Sequence, residues 1–130
     1  MDTNIKSMNI SIKEKISLLW VVVMMNMIFA DILSFMLPEF LNGIVTGNTP
    51  IQITQGILLL FAGILEVPIV MIFLSRIFNG KANFWANIIA SVITIVFVVG
   101  GGSLYLHYMF FAAIEVLVIL LIVKYAWSMK

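Results

Sequence analysis

The sequence predicts an all-α integral membrane protein: a single domain of four spans packed as an up-down-up-down four-helix bundle, with both termini cytoplasmic. Three observations lead there. Of 130 residues, 63% are hydrophobic and 10% charged, and the mean hydropathy is +1.18. A soluble domain this small keeps too much of its area exposed to hide that apolar surface. The apolar residues also collect in four runs, each long enough to cross a hydrocarbon layer of roughly 30 Å as a helix. Finally, all the Lys and Arg residues fall on one side of those runs, which sets the orientation by the positive-inside bias.

In chain order, a short polar head carries Lys6, Lys13 and Lys15 around Glu14. Span one is expected over residues 16–37, because Pro38 forbids a simple continuation. Residues 38–54 hold Asn42-Gly43, Gly47-Asn48 and Pro50, turn formers that predict an outer loop or a short re-entrant piece. Span two is expected over 55–78, with Pro68 inside it, and Asn79-Gly80-Lys81 reads as a tight turn. Span three follows over 83–99, ending at Gly100-Gly101-Gly102, and span four over 104–127. Arg76, Lys81, Lys124 and Lys130 complete the basic set on the cytoplasmic side, leaving none in 38–54 or 100–103. Trp20, Trp85 and Trp127 map near that same boundary, where indole rings settle. Short turns make spans two and three, and then three and four, antiparallel neighbours. The localisation that follows is a multi-pass protein of the inner (cytoplasmic) membrane.

Several chemistries are excluded or disfavoured. A net charge of +1 and dispersed cations leave no footprint for nucleic acid. Without cysteine there is no dithiol exchange and no thiolate ligand for zinc or iron–sulfur centres. One histidine cannot supply a bis-histidine haem within a chain. Gly100–Gly102 has no lysine after it and no strand before it, so it is no phosphate loop. No Ser–His–Asp order is legible. No catalytic residue, metal or cofactor is expected, and an enzyme is the lesser expectation.

What remains is a set of polar groups at membrane depth, which are costly there and mark functional sites by default. At about 1.5 Å per residue, Glu66 and Glu115 fall near the midplane, Asn26 at similar depth, and Asp31 and His107 nearer the outer end. His107, Phe111 and Glu115 share one face, with His107 and Glu115 about 12 Å apart. If Glu66 and Glu115 approach, they share a proton, since two charges at that depth repel. Structural readings stand beside these: neutral carboxyls that join helices, and a half-solvated histidine at the interface. Asn83, Asn87, Ser91, Thr94 and Val98, continued by Gly101, form one face of span three. It reads as a packing stripe of small and polar groups or as a cavity wall. Arg76 is expected to reach the headgroups, because about 15 Å of helix separates it from Glu66.

The segments Leu19-Trp20 with Asn26 through Met36, Glu66-Val67-Pro68-Ile69 with Phe73 through Arg76, Ala82-Asn83 with Trp85 through Ala90, and His107-Tyr108 with Phe110-Phe111-Ala112 and Glu115 resemble a family of small four-span bacterial membrane proteins of unknown function. The resemblance covers nearly the whole chain and implies a topology without an activity. More diffusely, the layout resembles the DoxX-like group, some of whose members are membrane subunits near quinone or thiol redox partners. None of that group's functional residues transfers to a position here.

Two functions are expected from these readings. One is a midplane polar pocket holding Glu66 and Glu115, with Asp31 nearer the outside, that binds or transports a small lipophilic or cationic ligand with proton exchange. The other is a non-catalytic membrane subunit or scaffold of a larger complex, including a redox complex, whose polar groups join helices and dock a partner. A quinone site near His107 is a third and weaker reading. Expected partners are the lipid bilayer, a second copy or another membrane protein, and a small hydrophobic ligand.

Overall fold

The structure, a computed structural model, describes residues 10–101 and 104–129. Lys6, Gly102, Ser103 and Lys130, which entered the topology argument, lie outside the described residues. Within them the chain forms five helices: α1 (Ile12–Phe35), α2 (Pro38–Thr46), α3 (Gln55–Ile77), α4 (Gly80–Gly100) and α5 (Leu106–Trp127). Four of these, all but α2, are long and apolar enough to cross a membrane.

Local chemistry explains the boundaries. Ser11 caps α1, its hydroxyl accepting from the Glu14 amide at 3.2 Å, so the helix starts earlier than the apolar run alone suggests. Ser-x-x-Glu is a capping-box spacing. Thr54 does the same for α3, accepting from Ile57 N at 3.2 Å. The expected outer loop 38–54 is instead partly helical. Pro38 cannot continue α1, but its fixed φ and missing N–H suit the first turn of a new helix. α2 then stops at Gly47, whose φ of 78° is the left-handed cap that glycine adopts without strain.

The four long helices form a closed ring. α1 packs against α3 and α5, and α4 packs against the same two, so α1 faces α4 across one diagonal and α3 faces α5 across the other. Their shared core is built from Ile16, Trp20, Val23 and Met27 of α1, Met71 of α3, Phe84 of α4, and Ile119 and Ile122 of α5. α2 rests on the end of α1, with Phe40 edge-on to Phe35 and Tyr105.

Lys13, Lys15, Arg76, Lys81 and Lys124 collect at one end of the bundle. There Lys13 donates to Asn79 and the Lys15 ammonium sits 5.6 Å from the centre of the Tyr125 ring. Trp20 is a correction: it lies two turns inside α1, fully buried, rather than in an interfacial belt.

Candidate functional site

Polar side chains run through the core along its long axis, and the two halves of that column differ. In the half beside the basic residues every group is partnered. Ser17 donates to Ile72 O at 2.8 Å and accepts from Arg76 Nε at 3.0 Å, so Arg76 is tied to α1 rather than only extended to headgroups. Asn83 donates to Ser75 O and Phe78 O at 2.8 and 2.9 Å, satisfying carbonyls at the C-terminal end of α3 that no helical N–H reaches. Asn87 donates to Asn83 O at 2.9 Å and to Asn83 Oδ1 at 2.5 Å. Across the diagonal, Trp20 Nε1 donates to Asn87 Oδ1 at 2.8 Å. This network closes the core at that end.

The other half is not closed in this way. Ser91 Oγ, Thr94 Oγ1 and Glu115 Oε1 are buried without a hydrogen-bond partner among the described residues. Buried polar atoms of this kind are rare in native interiors and call for a cause. Antiparallel packing of α4 on α5 puts Ser91 and Thr94 at about the depth of Glu115, by counting from the Tyr108–Val98 bond. Glu115 opens onto a cavity of about 30 Å³ that it shares with Asp31 and Tyr108, walled by Met27, Phe97 and Val98. Asp31 is exposed at the rim, and the two residues line the same cavity. Tyr108 donates to Val98 O at 3.1 Å. Above them, the Ser34 hydroxyl bonds Ala30 O and lies 2.9 Å from His107 Nε2. The His107 ring stacks on Tyr105 at 5.9 Å and 13°.

The structure therefore gathers Asp31 and Glu115, with His107 about one turn outward of Asp31 and about two turns outward of Glu115. It does not bring Glu66 to them. The buried stripe of α3 is Pro68, Met71 and Ser75. At 100° per residue Glu66 lies about 200° from Pro68, on the opposite face of the helix, and it is exposed. With α3 and α5 diagonal to each other, the expected Glu66–Glu115 pocket is not formed. The cavity that Glu115 shares with Asp31 has no room for a lipophilic molecule, since 30 Å³ suits a water or a bare ion. Asn26 is half-buried and bonds back to Val22 O of its own helix at 2.8 Å, apart from the cluster. Asn83, Asn87, Ser91, Thr94 and Val98 face the core.

Tyr108, Ser34 and Trp20 are site groups that the sequence reading passed over. Ser34 and Trp20 share the stripe of α1 that holds Ile16, Val23, Met27 and Ala30, and that spacing was available to find them. Tyr108 lies seven residues before Glu115, about 20° from it around α5, so helical spacing was available to find it as well. Among the described residues, no group of three or more His, Asp or Glu side chains could hold a metal ion.

A family model described as "Family of unknown function (DUF6326)" matches residues 4–130. No curated protein and no solved structure matches the chain.

Proposed function

We propose, for a chain that belongs to this family of unknown function, a proton-exchanging membrane protein whose working group is the Asp31–Glu115 pair. The observation that carries the reading is Glu115 Oε1, buried without a partner in a water-sized cavity it shares with Asp31 and Tyr108. A bare acceptor at that depth is stabilised by a proton or by a water that bridges to its neighbours. The unpartnered hydroxyls of Ser91 and Thr94 offer further stations for such water. Asp31 at the rim is the port, and His107 with Ser34 stands between it and the outer end.

The collected basic residues support a cytoplasmic assignment for the closed end, in a bacterial inner membrane. Protons then reach Glu115 from outside, while the Trp20–Asn87–Asn83 network blocks onward passage. Transport requires that network to open, which makes it the inner gate of an alternating cycle.

Proton flux into proteoliposomes carrying a trapped pH dye, driven by an imposed pH gradient with the membrane potential clamped, tests this. Glu115→Gln is expected to reduce flux at least tenfold. Equal flux from the variant and the wild type, or wild-type flux no greater than that of empty liposomes, refutes it and leaves the scaffold reading standing.

A further inference from the structure

The feature outside the interior site that most needs an explanation is Glu66. It sits mid-span on the outer face of α3, in a groove of about 380 Å³ between α3 and α4. Gly63, Val67, Val70, Ala86 and Ile89 are among its walls. No hydrogen bond or ion pair engages Glu66 among the described residues, and Glu66 is the sole ionisable group in the groove lining. α3 is also the least embedded of the long helices, with 11% of its most apolar window buried against 39% for α1 and α4. Apolar walls facing lipid require no explanation. A carboxylate facing lipid is costly and persists where something pairs with it.

An occupant that keeps Glu66 ionised must bring a cation to mid-membrane depth. A second copy cannot do so. Two copies crossing in the same sense put Glu66 opposite Glu66 at one level, and the chain's Lys and Arg residues lie at or beyond the basic end of the spans. A lipid headgroup is held at the interface, too far from the midplane. We propose that the α3–α4 groove binds a small lipophilic ammonium ion, its apolar body along Val67, Val70 and Ile89 and its N–H donating to Glu66. The volume falls in the range of small-molecule sites, and one polar group among apolar walls is their usual make-up. A charge-assisted hydrogen bond in low dielectric gives the selectivity for cations.

Gly63 gives a steric test that leaves the carboxyl in place. A Cβ there meets nothing within 4 Å, so Gly63→Leu narrows the groove without disturbing the fold. The probe is 1-naphthylmethylammonium, with neutral 1-naphthylmethanol as control, in equilibrium dialysis against the full chain in phosphatidylcholine nanodiscs. The expected result is saturable binding of the ammonium, one per chain, weakened at least tenfold by Glu66→Gln and by Gly63→Leu, with no such dependence for the alcohol. Equal binding by wild type and Glu66→Gln, or binding indistinguishable from empty nanodiscs, overturns the proposal. So does near-complete disulfide cross-linking of a Gly63→Cys variant between copies, which makes the groove a dimer interface.

Discussion

Replacing Asn87 by Ala removes the one acceptor of the Trp20 indole N–H, at 2.8 Å, and the donor to Asn83 Oδ1 at 2.5 Å. The Ser75 hydroxyl at 3.4 Å is near the limit for a bond and counts for little. Interhelical hydrogen bonds in membranes average about 0.6 kcal/mol, because the separated helices find other partners. Leaving a buried donor unmatched costs more, about 1–3 kcal/mol. The second figure governs here. Trp20 and Asn87 are both fully buried, and the backbone carbonyls of α1 around Trp20 are engaged in the helix. The expected loss is about 2 kcal/mol, with a small added term for the cavity left by the amide. Reversible unfolding of the reconstituted protein in mixed micelles with rising SDS, followed by circular dichroism, measures it. Trp20→Phe in the Asn87→Ala background should cost less than in the wild type, by about 1 kcal/mol of coupling. A change below about 0.5 kcal/mol for Asn87→Ala, or strict additivity of the pair, refutes the network as a core lock.

Other consequences follow from the same geometry. Glu115→Leu removes an unmatched buried oxygen, so it should be neutral or stabilise by about 1 kcal/mol in the same unfolding assay while abolishing proton flux; a destabilisation beyond about 1 kcal/mol would mean that Glu115 is an unrecognised packing group. Gly47→Ala forces alanine to φ 78° and should loosen α2 by about 1 kcal/mol, read as faster amide exchange over Pro38–Thr46 with α1 unchanged. Because the chain has no native cysteine, single cysteines report topology cleanly. Cysteine at Ser128 should label with an impermeant maleimide only from the cytoplasmic side, and cysteine at Asn48 only from outside. The reverse pattern would invert the assigned orientation.

The spans were legible because lipid imposes one rule on every turn of a crossing helix, and composition alone reports it. Their ends were less so, since Ser11, Thr54 and Pro38 shift the boundaries through hydrogen bonds and fixed dihedrals rather than through hydropathy. Depth along the axis was readable by counting residues, which is how Glu66, Glu115 and Asn26 came to be placed near the midplane and Asp31 and His107 nearer the outer end. Azimuth was harder. In a soluble helix the apolar stripe marks the core, whereas here both faces are apolar and the stripe carries little contrast. For Glu66 a signal existed in the spacing of Pro68, Met71 and Ser75, but it becomes visible only once one of them is known to be buried. Ring order was out of reach, because the short turns give sequential neighbours and say nothing of α1 closing against α5.

In the proposed function Asp31 and Glu115 act as one protonatable unit. Infrared titration of the carboxyl bands tests it most directly, in the reconstituted wild type and in Asp31→Asn, Glu115→Gln and Glu66→Gln. Removing Asp31 should change the titration of Glu115, removing Glu115 should change that of Asp31, and removing Glu66 should change neither. Carboxyls that titrate without regard to each other would contradict the proposed function.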